Sequence, residues 1–111
     1  MKPGELFIEV VRGCQDLPAE VRNHAADASG VEESCFDESY LQFLDEQIQL
    51  SPRGPEWAVI LRRRRESLRP FCGVPLVDGH IRVGGLDTWV KIDPKTRAVV
   101  FWEQLKYEQA S

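Results

Sequence analysis

The sequence predicts an α+β fold in one domain, residues 1–111, with N-terminal helices packed on a C-terminal three-stranded antiparallel meander. Apolar residues recur at helical spacing through the first two thirds of the chain. The last third divides into short β-branched and aromatic runs separated by turn residues. A length of 111 residues suits one hydrophobic core rather than two.

The first apolar group is Leu6–Val11, where Leu6, Ile8 and Val10 alternate with Phe7, Glu9 and Val11. It reads as a strand or as a helix, with helix preferred, and Gly13 ends it. Asp16-Leu17-Pro18 begins a helix with proline in its first turn. Leu17, Val21, Ala25 and Ala28 keep one face apolar, and Gly30 closes the segment. The polar stretch Asp27–Glu33 and the chain ends are expected to be irregular. A further helix is expected from Ser39, which has capping-box spacing to Gln42. Its stripe is Leu41, Leu44 and Ile48, flanked by Tyr40 and Phe43.

Ser51-Pro52-Arg53-Gly54-Pro55 is a break, and Pro55 suits a helical first position. Trp57, Ile60, Leu61, Arg64 and Leu68 follow at i, i+3, i+4, i+7 and i+11, an amphipathic stripe. A short buried strand over Trp57–Arg62 is the competing reading. Pro70 ends the element, and Pro75 and Gly79 predict irregular chain up to His80. Strands are expected at His80–Val83, Thr88–Asp93 and Ala98–Glu103. Gly84-Gly85-Leu86-Asp87 closes the first hairpin, and Asp93-Pro94-Lys95-Thr96 has the composition of a type I turn. In the middle strand Val90 and Ile92 face one side, Trp89 and Lys91 the other. In the last, Val99 and Phe101 alternate with Val100 and Trp102.

Charge is sorted along the chain more strongly than a net charge of −4 suggests. Between Asn23 and Pro52 there is no Lys or Arg, while Asp27, Glu32, Glu33, Asp37, Glu38, Asp45 and Glu46 lie there. Arg53, Arg62–Arg65 and Arg69 follow directly. Segregated charge makes a directional field that steers association with charged partners. The four consecutive arginines point in four directions on a helix, so they do not line one groove together. They have two uses, pairing with the chain's own carboxylates such as Glu66 or meeting a partner. An acidic chain is poorly attracted to phosphate, which argues against nucleic acid as that partner.

Catalytic and metal signatures are weak. The carboxylates lack a neighbouring His or nucleophile, so a solvated or partner-binding acidic face fits them better than acid–base chemistry. His80 and Cys72 make only two ligands, and no cofactor or metal site is expected. Gly84-Gly85 lacks the spacing of a phosphate cradle, and no serine has hydrolase context. Cys14, Cys35 and Cys72 contain no C-x-x-C and read as reduced, mostly buried thiols. No apolar run approaches a membrane span, and Glu5 and Glu9 interrupt the amino end where a signal peptide would be apolar. The expectation is a cytosolic binding protein, not an enzyme, without membrane association. Monomer and homodimer both fit. Trp57, Trp89 and Trp102 serve as core residues or as interface anchors. Trp89 and Trp102 would form a cross-strand pair if they shared a face.

The run Val90-Lys91-Ile92-Asp93-Pro94-Lys95-Thr96-Arg97-Ala98-Val99-Val100-Phe101-Trp102-Glu103 resembles the closing hairpin of small bacterial immunity proteins, some of them in the SUKH superfamily. These are cognate inhibitors of polymorphic and contact-dependent toxins. Arg97 stands where their usual glycine follows the threonine. The resemblance implies a single acidic cytosolic domain that holds a toxin's C-terminal domain without catalysis. The expected function is therefore neutralisation of a toxin, a nuclease in the leading version, by occluding its active site. The acidic segment would stand in for phosphate. Glu32, Glu33, Asp37, Glu38, Asp45 and Glu46 are the expected charged contacts, with Tyr40, Phe43 and Trp102 as aromatic anchors. The alternative is a nucleic-acid-binding or regulatory module acting through Arg62–Arg69.

Overall fold

The computed structural model describes residues 2–51 and 53–106. Met1, Pro52 and residues 107–111, which include the expected irregular ends and part of the expected break, lie outside the described residues. The class is α+β as expected, but a fourth strand joins the sheet and falls between helices. Contacts divide the chain into two compact units. One combines Met1–Ser34 with Leu76–Ser111, and the other is Cys35–Pro75.

In the first unit, α1 spans Pro3–Gly13. Leu6, Phe7, Val10 and Val11 are its buried residues. Their i, i+1, i+4, i+5 spacing decides between the two readings. A helix puts all four on one face, whereas a strand would split them between two. Pro3 supplies the first turn, and the Lys2 backbone N–H donates to Glu5 Oε2 at 3.4 Å. Helix α2, Ala19–Asn23, follows Pro18 and passes into a 3₁₀ turn at Ala25–Asp27. Leu17, Val21 and Ala25 are buried as expected. The helix nevertheless stops short of Ala28, which begins β1, Ala28–Cys35. The expected irregular stretch is thus a strand. It was hidden because β1 ends the sheet order β1-β2-β3-β4, and an edge strand is held largely by its backbone bonds to one neighbour. Only Ala28 and Val31 of β1 pack against the core.

Strands β2, Pro75–Val83, β3, Leu86–Asp93, and β4, Ala98–Lys106, are antiparallel neighbours. The irregular stretch expected at Pro75–Gly79 is instead the first half of β2. Pro75 takes the first strand position, which needs no ladder donor. Gly79 is required by closeness, because a Cβ there would stand 2.7 Å from Phe7 Cε2 and 2.9 Å from Val31 Cγ2. Gly84 and Gly85, at φ 57° and 83°, join Val83 to Leu86 in a two-residue turn of the type whose central residues both need positive φ.

The core lies on one sheet face, where Val77, Ile81, Val90 and Ile92 meet Phe7, Val10, Val11, Leu17, Val21 and Ala25. An irregularity between Lys91 and Ile92 resets β4, pairing Ile92 with Val99 but Lys91 with Phe101. Val99 and Trp102 therefore join the core face, while Phe101 shares the other face with Lys91 and Trp89. Trp89 and Trp102 lie on opposite faces and form no cross-strand pair.

On that second face, Lys91 is 2% exposed. Its Nζ donates to Asp78 Oδ2 at 2.8 Å and lies 4.5 Å from the centre of the Trp89 ring. Trp89 Nε1 donates to the other oxygen of Asp78. His80 stacks on Trp89 with centroids 5.8 Å apart, and Phe101 meets the indole edge-on.

The second unit is a helical hairpin. α3 is Glu38–Leu50 and α4 is Pro55–Leu68, packed against each other and followed by a 3₁₀ turn at Arg69–Phe71. The strand alternative for Trp57–Arg62 is excluded. α3 starts earlier than Ser39 because the Asp37 carboxylate accepts the Tyr40 N–H at 3.2 Å and caps the first turn. Leu41 and Leu44 of α3 and Ala58, Leu61, Arg64 and Leu68 of α4 are buried.

Candidate partner-binding surface

Most of the residues expected to meet a partner lie on or immediately before α3. Asp37 caps the helix, Glu38 is exposed in the first turn, and Glu46 is exposed two turns later. Phe36, Tyr40 and Phe43 form an aromatic ladder. Phe36 and Tyr40 stack with centroids 5.4 Å apart, and Tyr40 lies 6.4 Å from Phe43. Phe36 is buried and Tyr40 half-buried, but Phe43 is 51% exposed. The ladder is legible as an i, i+4, i+7 spacing, but Phe36 was not singled out because it precedes the helix.

The other expected residues belong to the sheet unit. Glu32 and Glu33 are exposed on β1, and Trp102 on β4 is half-buried against the core. The structure therefore gathers Asp37, Glu38, Tyr40, Phe43, Asp45 and Glu46 on one element and leaves Glu32, Glu33 and Trp102 off it.

The acidic and basic segments meet at Arg65. Arg65 pairs with Asp45, and also with Glu66 at 3.0 Å. The hydrogen bond that Arg65 donates to Asp45, and then the charge of Asp45, hold the Arg65 guanidinium above its ordinary pKa. Arg64 is buried in the hairpin, while Arg62, Arg63 and Arg69 are exposed. Arg53 lies over the Trp57 ring, 4.7 Å from its centroid. A polar cavity of about 340 Å³ lies along the hairpin, lined by Glu38, Leu41, Gln42, Asp45, Arg65 and Arg69.

Among the described residues, no group of three or more His, Cys, Asp or Glu side chains is arranged to hold a metal ion. No helix of the described residues is long and apolar enough to cross a membrane. No protein-family model matches the chain, and no curated protein or solved structure matches it.

Proposed function

We propose that this chain is a protein-binding inhibitor of the bacterial immunity type, and that its outward α3 surface docks on a basic patch of a toxin domain. The carrying observation is the half-exposed Phe43 on a helix that bears Glu38 and Glu46 and has no Lys or Arg anywhere along it. An aromatic side chain supplies desolvated contact area, and the surrounding carboxylates supply orientation and speed of encounter. Tyr40, tilted against Phe43, stiffens the anchor before binding, which lowers the entropy lost on docking. Asp45 is already paired with Arg65, so the charge offered to a partner comes chiefly from Glu46 and from Glu38, which also accepts the Cys72 thiol at 3.7 Å.

A nuclease is the favoured target because its substrate groove is lined by cations that normally meet phosphate. Glu38 and Glu46 would occupy those cations without offering a scissile bond. Neutralisation is then steric occlusion, and the chain performs no chemistry.

The test begins with capture of partners from native lysate with and without nuclease treatment. The captured protein is then purified and titrated against wild type, Phe43→Ala and Glu38→Lys/Glu46→Lys. Loss of a hot-spot aromatic should weaken binding about 30-fold, for a cost of roughly 2 kcal/mol. Charge reversal should flatten the salt dependence of association. Unchanged affinity for both variants would sink the α3 assignment. The exposed Arg62, Arg63 and Arg69 support a second reading, nucleic-acid binding, under which capture would be lost on nuclease treatment.

A further inference from the structure

A cavity of about 370 Å³ lies within the first unit, between the C-terminal end of α1 and the start of β4. Val10, Val99 and Cys14 give it an apolar floor, continuous with the core. Glu9, Asp16 and Arg97 give it a charged rim. Arg97 stands in the turn before β4 at φ 55°, and its guanidinium donates to Glu9 Oε1 at 2.9 Å, joining residues 88 positions apart. That pair neutralises one of the two rim carboxylates. Asp16 is exposed and has no cationic partner among the described residues. The cavity also begins where α1 ends, and the last carbonyls of a helix carry partial negative charge. Arg12, the cation of that last turn, is not part of the lining. An apolar floor thus meets a surplus of negative charge at the rim.

We propose that this cavity binds a small organic amine. The ammonium sits at the rim against Asp16 and Glu9, and the hydrocarbon body covers Val10, Val99 and Cys14. The volume suits a small molecule. A carboxylate ligand is disfavoured, because it would have to draw Arg97 away from Glu9 and face Asp16. Arg97 also limits the affinity for an amine, since it competes for Glu9. This inference stands apart from the partner reading, because it uses neither α3 nor a toxin.

Cys14 serves as a reporter on the floor. All three thiols are free and less buried than expected, with Cys35 exposed and Cys14 and Cys72 half-buried.

The experiment uses the full chain and two probes of matched size and opposite charge, butylammonium and butanoate, followed by amide NMR. Butylammonium should move the Cys14 and Val99 signals saturably, and butanoate should not. Arg97→Gly keeps a turn that glycine adopts without strain and frees Glu9, so it should tighten butylammonium binding about threefold, the worth of one exposed ion pair. Asp16→Asn should weaken it by about the same factor. In a second readout, Cys14 is labelled with a trimethylammonium-bearing or a sulfonate-bearing methanethiosulfonate and located by peptide mass spectrometry. The cationic reagent should gain on the anionic one at Cys14, relative to the same pair of rates with free cysteine, and Glu9→Gln/Asp16→Asn should remove that gain. No saturable shift with butylammonium, equal saturation by butanoate, or a charge preference that survives Glu9→Gln/Asp16→Asn would each overturn the proposal.

Discussion

Replacing Gly79 by alanine adds one methyl group where the sheet and α1 are closest. The new Cβ would stand 2.7 Å from Phe7 Cε2, 2.8 Å from Phe7 Cζ and 2.9 Å from Val31 Cγ2. Phe7 is fully buried, so its ring has no free space to enter. Overpacking of this kind costs about 1–3 kcal/mol. Alanine recovers about 0.5–1 kcal/mol by ordering less freely in the unfolded chain. The net loss should be about 1–2 kcal/mol. With an ordinary urea slope, the midpoint falls by about 1 M at constant m. The assay is urea unfolding followed by tryptophan emission in a Trp57→Phe background, so that the signal comes from Trp89 and Trp102 in the sheet unit. An unchanged or raised midpoint would refute the close-approach argument. A double-mutant cycle with Phe7→Leu, which removes Cε2 and Cζ, should shrink the alanine penalty by at least about 0.5 kcal/mol. If the penalty persists in full, the obstruction is Val31 and not the ring.

Asp78→Asn removes the carboxylate that accepts from the buried Lys91 ammonium and should lower stability by about 3 kcal/mol, read by thermal unfolding. Adding Lys91→Met should recover most of that loss, because the buried ammonium is then gone. Asp37→Ala removes the cap of α3 and should lower stability by about 1 kcal/mol, with reduced helicity by circular dichroism. Iodoacetamide should label Cys35 well before Cys72 in mildly alkaline buffer, and Glu38→Gln should narrow that gap by removing a charge that disfavours the Cys72 thiolate. Burial, followed by the charge of Glu38, raises the pKa of the Cys72 thiol, with a consequence for stability. The folded state favours the neutral thiol, so its contribution is complete below the unfolded pKa of Cys72 and is lost as pH rises through the folded one. Cys72→Ala should therefore flatten the alkaline limb of the stability profile.

Elements whose signal is local were legible in the sequence. α4 follows from its stripe and from Pro55, and the β2–β3 turn follows from Gly84-Gly85. The turn after β3 was also legible. Lys95 N–H donates to Asp93 Oδ1 at 2.9 Å, and Arg97 takes the left-handed position at φ 55°. Elements defined by distant neighbours were not legible. β1 is an edge strand with little apolar alternation, so it looked like loop. Gly79 looked like a breaker because only the neighbouring α1 and β1 explain the missing side chain. The bulge that sends Trp89 and Trp102 to opposite faces has no marker in either strand alone. For the candidate surface, sequence reasoning found the α3 carboxylates and aromatics. It did not find that Asp45 is held by Arg65, since that pairing depends on how α3 and α4 cross.

The position of β1 in the sheet order has a bearing on solubility. A strand with a neighbour on one side presents backbone donors and acceptors to any other extended chain, and two such edges can zip together into larger aggregates. Glu32 and Glu33 stand side by side on β1, exposed on successive residues and hence on both sides of the strand. A second copy approaching in either orientation would bring like charge against like charge. This acidic pair acts as a gatekeeper against self-templating during expression and storage, whatever molecule the chain binds.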